Sequence, residues 1–578
     1  MIATRFLLSA ACCLAAFGSA QAAPPADLGQ AVETGDFAAY QAAADAWLTE
    51  RSAAPADQAA LLERIAEPEF RLVLDQRALI AACGADKLAA FVKADAANRA
   101  VLAWLLADTT ALDLLLEGAV PLQLAARERG ELRLSVGTLE ILARIVAADA
   151  EAKAGLPLKL ALATSLAPPG TGAPGAGHSG PTDPVARYRH FKAAHAAGEL
   201  VPSFPGLTVW ELQKVVQSGA SDEDLAWGRQ MIKSFRPDLL TDEMVVNSTS
   251  FVWRRNAPPK FYPFKGMQDV LAGGGKCGPR SSWSVFICQA CGVPAIGVGQ
   301  PAHACVAYKA ANPMTEPQPG SAWKVGFGRG WQVSKLENMS GPEFLEAVGE
   351  RARAKEFSQI EHLRWLAAAL ADPARATAVR DVAAAIRSSL AKAETDLTAS
   401  LKPEEAEADP GVKAAAGAAD TAKPAATEPA KPAGPIVAKD GVIEIPAAAF
   451  SETGGQISWG GQFPYVLVHT DPAGGRQIHF QAQMQSQWAD YVVDVPTAGD
   501  YEIVMEASCV NDEQVLEVVA GGGEPVQVSI PLTYGLWGEA SPAAIHLAKG
   551  VQTLRVQTPV NDPKRGISLR RFVLRPKA

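Results

Sequence analysis

One stretch limits what this 578-residue chain can become. Residues 402–439 are nearly all Ala, Pro, Glu, Lys and Thr, with no aromatic and almost no large aliphatic side chain. Such a composition cannot bury enough apolar surface to fold, so residues 401–439 read as a semi-extended, disordered linker. The linker separates a mainly helical part from an all-β part.

After the linker, residues 440–578 alternate apolar and polar side chains between turn signals. Ten strands are expected, at 442–445, 465–469, 477–480, 489–495, 500–506, 514–520, 526–530, 543–547, 552–557 and 568–574. Regular short strands of this kind point to a β-sandwich.

Before the linker, residues 1–22 have the layout of a secretory signal peptide. Arg5 supplies the positive start, residues 6–17 the apolar run, and Ala20-Gln21-Ala22 the small-residue cleavage pattern. The mature chain is therefore expected to be secreted or periplasmic. Residues 23–166 carry Phe37, Tyr40, Ala44, Trp47 and Leu48 at helical spacing, then further apolar repeats, and read as a helical domain. Residues 167–184 are a Gly/Pro/Ala linker. With 53 basic against 62 acidic residues, the net charge of −9 gives no basic surface for nucleic acid. No long apolar run follows the leader, so no transmembrane span is expected after cleavage.

The chemistry concentrates between residues 185 and 400. Gly273-Gly274-Gly275-Lys276-Cys277-Gly278-Pro279-Arg280 leads into a helix whose Trp283, Phe286, Ile287 and Ala290 share one face. Pro279 suits the first turn and Gly292 the end of the helix. A cysteine at a helix N-terminus sits where the dipole favours thiolate, and Lys276 and Arg280 add positive charge. Residues 293–298 and 302–308 read as strands, and His303 begins the second. A histidine on a neighbouring strand can act as acid and base for such a thiol. Trp253, with Lys276 and Arg280, forms a candidate substrate rim. Cys288 and Cys291 fall at the wrong end of the helix for a redox pair and read as buried thiols, as does Cys305. No metal-ligand set and no cofactor motif is expected.

Gly275-Lys276-Cys277-Gly278, the helix, Ala290-Cys291-Gly292-Val293-Pro294-Ala295 and the strand opened by His303 resemble the transglutaminase-like, papain-type Cys–His superfamily over residues 201–338. The resemblance implies an α+β core with Cys277 as nucleophile and His303 as its base. The family usually adds an Asp after the histidine strand, but residues 321–334 hold no carboxylate. Glu337, Asn338, Glu316 and Gln332 are the candidates for orienting the imidazole.

In the last part, Gln487-Trp488-Ala489-Asp490-Tyr491 through Tyr501, and His546 through Val556, resemble jelly-roll carbohydrate-binding modules. The resemblance implies a glycan site built on exposed aromatic rings, for which Trp459, Tyr534 and Trp537 are candidates. Trp488 and Tyr491 are expected in the core. It also implies calcium held by acidic residues near both ends, where this chain instead places Pro446 at the first end and an Arg of Arg570-Arg571 at the last.

The expected whole is a multidomain α+β protein: N-terminal all-α domain, transglutaminase-like core with flanking helices at 185–400, linker, and C-terminal β-sandwich. Its expected function is that of a thiol enzyme on amide bonds (peptidase, amidase or acyl transferase). Peptide or protein substrate and a polysaccharide or cell-wall glycan are the expected partners. The alternatives are a catalytically inactive binding protein with the same cleft and a cell-envelope scaffold.

Overall fold

The structure is a computed structural model that describes residues 28–170, 182–254, 261, 263–310, 322–398, 434–455, 466–481, 486–560 and 566–577. Residues 1–22, expected to be a signal peptide, lie outside the described residues, as do Glu316, Trp459 and most of the expected 401–439 linker.

From Leu28 to Leu166 the described chain forms ten α-helices. Aspartate opens several of them. Asp36, Asp57, Asp95 and Asp108 each accept a hydrogen bond from a first-turn amide. Each bond satisfies an N–H that the helix itself leaves unpaired. The helices bury Phe37, Leu48, Leu74, Leu105 and Leu116.

This helical part shares its core with the residues that follow. A single cluster of buried side chains runs from Ala31 through Trp283 to Leu390. Helices Gly341–Ala352, Ala354–Ala369 and Pro373–Thr398 come after the thiol motif. Leu370-Ala371-Asp372 breaks the chain between the last two, ahead of Pro373. These helices pack back on the N-terminal ones. Buried Arg127 lies between Glu350 and Glu361 at 2.7 Å each, and Arg364 meets Glu361 at 2.7 Å. Arg77 donates to the Ala368 carbonyl at 2.9 Å.

The sheet of the thiol region has five antiparallel strands in the order β3-β2-β1-β4-β5. They are β1 (Ala295–Gln300), β2 (His303–Lys309), β3 (Trp323–Gly326), β4 (Lys335–Leu336) and β5 (Met339–Ser340). β1 and β2 form a hairpin with Gln300 opposite His303, and Ala302 in the turn has φ 51°. The helix Cys277–Ala290 packs on this hairpin, with Trp283, Phe286, Ile287 and Ala290 buried as its spacing predicts.

The described residues between 434 and 577 form two facing sheets with their own core. One sheet has the order Gly538–Glu539, Gly499–Cys509, Ile567–Pro576, Arg476–Phe480, Val466–Thr470. The other has the order Val526–Ile530, Gln514–Ala520, Gly550–Gln557, Gln487–Val495, Ile436–Val437. Inward positions such as Tyr491, Ile503, Leu554 and Phe572 are fully buried. This is the β-sandwich expected from the alternation. Trp488 differs from its expected core place: it is half-buried, lies against Gly454, and carries the Arg555 guanidinium 3.8 Å from its ring centre.

The sandwich rests on the helix Asp222–Phe235. Gln477 donates to the Ser234 carbonyl at 2.8 Å, and Ser568 donates to the Phe235 carbonyl at 2.6 Å. The Phe235 ring meets His479 edge-on at 4.9 Å.

Candidate functional site

Cys277 is the first residue of its helix. The approach is tight: Gly275 donates to the Trp253 carbonyl at 2.8 Å. A Cβ on Gly275 would stand 2.6 Å from Pro279 Cγ, so only glycine fits beneath the first turn. Among the described cysteines Cys277 alone is partly exposed; Cys83, Cys288, Cys291, Cys305 and Cys509 are buried, and all six are free thiols. Burial pushes the Cys291 and Cys305 thiols up to about 12 and raises Cys288 well above its ordinary range.

The helix and β2 run side by side. Ser281, one turn after Cys277, donates to the Cys305 carbonyl at 2.7 Å. At the far end, Lys309 donates to the Pro294 carbonyl at 2.9 Å. One turn back along the helix is Cys277, and two residues back along β2 is His303, so both belong to the same end of the pair. No hydrogen bond joins Cys277 Sγ to His303 among the described residues.

His303 Nε2 lies 2.9 Å from the main-chain oxygen of Phe327. A carbonyl only accepts, so Nε2 carries the proton and, in the neutral ring, Nδ1 keeps its lone pair. The Phe327 ring stands edge-on to the imidazole at 5.9 Å, and the Arg280 guanidinium lies 5.5 Å from the Phe327 ring centre. Gln300 secures the loop behind it. Its amide donates to the Gly330 carbonyl at 3.1 Å and to Ser334 Oγ at 2.9 Å, and its oxygen accepts from the Arg329 amide at 2.9 Å.

Several expected site residues stand elsewhere. Glu337 and Asn338 form the two-residue turn between β4 and β5, with φ of 49° and 62°. The Glu337 carboxylate pairs with Lys214, so it does not orient His303. Gln332 is exposed in a short 3-10 turn. Arg280 is buried beneath Phe327 instead of lining a rim. Lys276, which precedes the cysteine in the chain, is exposed, and Trp253 is half-buried. The Phe327 carbonyl was not foreseeable from side-chain chemistry; the only hint is the Phe327-Gly328-Arg329-Gly330 loop.

In the sandwich, Tyr534 sits in a loop docked on the thiol region. Its carbonyl accepts from Trp227 Nε1 at 3.2 Å, and a Cβ on Gly535 would meet Met231 at 2.2 Å. That docking places Tyr534 at the contact between the sandwich and the helix Asp222–Phe235. Trp537 is half-buried, with the Arg570 guanidinium 4.4 Å from its ring centre. Arg571 bonds both Glu444 and Glu506 at 2.8 Å, and Arg570 pairs with Asp471 and Glu506. Guanidinium groups thus neutralise carboxylates at both ends of this region.

No protein-family profile and no curated protein matches the chain. Its C-terminal region is similar to solved carbohydrate-binding modules. The C-terminal CBM6 of a Zobellia galactanivorans laminarinase is 14% identical, covering 23% of this chain and 98% of that one, with a TM-score of 0.19. A Clostridium stercorarium CBM6 solved with cellobiose is 12% identical, covering 25% and 99%, with a TM-score of 0.20. A β-1,3-glucan-binding CBM6 from Bacillus halodurans is 18% identical, covering 23% and 94%, with a TM-score of 0.19. Among the described residues no helix is long and apolar enough to cross a membrane.

Proposed function

We propose that this protein is a secreted thiol enzyme acting on amide bonds, with Cys277 as nucleophile and His303 as general base. The bond from His303 Nε2 to the Phe327 carbonyl carries the reading. It fixes the tautomer that leaves Nδ1 able to take the thiol proton, which is the service an Asp or Asn gives in other Cys–His sites. Cys277 would pass its proton to Nδ1 and attack the amide carbon. The first-turn amides of the helix, which have no intrahelical acceptors, can stabilise the oxyanion. The imidazolium would return the proton to the departing amine. Water or a second amine would then release the thioester and regenerate the thiol.

The test uses a glutamine-containing peptide with and without a fluorescent primary amine. Hydrolysis or amine incorporation should appear in wild type and vanish in Cys277→Ala. The second reading is a peptide-binding domain without turnover, favoured by the absence of a thiol–imidazole hydrogen bond among the described residues. Peptide binding with no turnover in wild type would decide for it. In either case the sandwich would hold the protein on a polysaccharide, with Trp537 as the described candidate for stacking on a sugar.

A further inference from the structure

The helical part contains a second concentration of chemistry that the thiol site does not use. Asp75 on the helix Pro68–Cys83, Asp113 on the helix Thr109–Ala119 and His362 on the helix Ala354–Ala369 converge. One ligand atom from each lies within 4.8 Å of the other two. Asp75 and His362 are 3% and 2% exposed.

Two features point to a missing partner. His362 Nδ1 lies 2.7 Å from the Ser358 carbonyl, so Nδ1 carries a proton and, in the neutral ring, Nε2 turns its lone pair toward Asp75. Metal-ligating histidines are held this way. Second, Nε2 and Asp75 Oδ1 face each other at 3.0 Å, and beyond that contact neither atom meets a further hydrogen-bond partner. The separation is close to the ~3.3 Å between neighbouring donors around a tetrahedral ion with ~2.0 Å bonds.

Charge gives the same answer. Asp75, Asp113 and nearby Glu117 bring three carboxylates together. Arg71 is the guanidinium that meets them, at 2.9 Å from Asp113 and 3.8 Å from Asp75, and Arg351 also faces Glu117. With both guanidinium groups counted, the three carboxylates still leave a net negative charge that a bound cation would offset. Asp113 and Arg71 are about one-third exposed, at 31% and 32%, which leaves an entry route from solvent.

We propose that Asp75, Asp113 and His362 bind one divalent transition-metal ion of the zinc type, clamping the last helices of the thiol region to the N-terminal helices. Water or Glu117 completes the coordination. Binding displaces any proton on His362 Nε2, so affinity falls in acid.

The test is calorimetric titration of the full-length, chelator-treated protein with Zn²⁺, alongside Co²⁺ absorption spectra. One ion per chain and a raised melting temperature are expected. Asp113→Asn and His362→Gln should each weaken binding by at least ~10–100-fold, and Cys277→Ala should leave it intact. Asp113→Asn decides alone if His362→Gln does not fold, because Asp113 lies at the partly exposed edge. Absence of binding, binding unchanged in Asp113→Asn, or binding lost in Cys277→Ala would each overturn the assignment.

Discussion

His303 Nε2 donates to the main-chain oxygen of Phe327 at 2.9 Å, so a backbone group, not a side chain, holds the imidazole. A carbonyl cannot take a full charge as a carboxylate does. It fixes the tautomer and stabilises the imidazolium less. The proposed enzyme should therefore turn over slowly.

The loop carrying that carbonyl is packed closely. A Cβ on Gly328 would stand 2.4 Å from Val325 Cγ1 and 2.9 Å from Cys305 Sγ. Gly328→Ala should therefore cost about 1–3 kcal/mol in urea denaturation and slow Cys277 chemistry by displacing the Phe327 carbonyl. An unchanged denaturation midpoint would mean the loop yields freely.

The contact between the sandwich and the helix Asp222–Phe235 should weaken in acid. Burial lowers His469 to about 4 and holds His479 well below its ordinary range, and Arg236 adds to both. Asp238, 3.5 Å from His469, opposes them only in part. Both imidazoles are neutral when folded, and the unfolded chain binds more protons below about pH 6.5. Stability should hold above that pH and fall progressively as the pH drops from about 6.5 to about 4. Melting temperatures across this range check it, and His479→Gln should flatten the decline.

Arg127 joins the N-terminal helices to the later ones through Glu350 and Glu361. Arg127→Met leaves two buried carboxylates without this partner. The expected loss is about 3–5 kcal/mol, measured by denaturant unfolding. A loss under ~1 kcal/mol would show that Arg364, which meets Glu361, and Arg387, 2.6 Å from Glu350, compensate.

On affinity gels containing β-glucan, wild type should be retarded and Trp537→Ala should run faster. Equal retardation would remove Trp537 from any glycan site.

Much of the fold was legible locally. All ten strands expected in the sandwich are present within a few residues, because one face of each is buried and period-two alternation records it. The short strands Ile436–Val437, Glu452–Gly455 and Gly538–Glu539 were not, being too brief to show a pattern. The helix at Cys277 announced itself through Pro279, Gly292 and its apolar face. The third member of the site did not, since a backbone carbonyl has no sequence signature. Glu337 and Asn338 attract attention as polar groups, but their positive φ marks a hairpin turn. Asp75, Asp113 and His362 come together only through tertiary packing.

The central claim is that His303 activates Cys277. The direct measurement is the rate of Cys277 alkylation by iodoacetamide at about pH 6.5, followed by peptide mass spectrometry in wild type and His303→Ala. Wild type should react about tenfold faster or more. Equal rates in the two proteins, or no labelling of Cys277 in the folded chain, would contradict it.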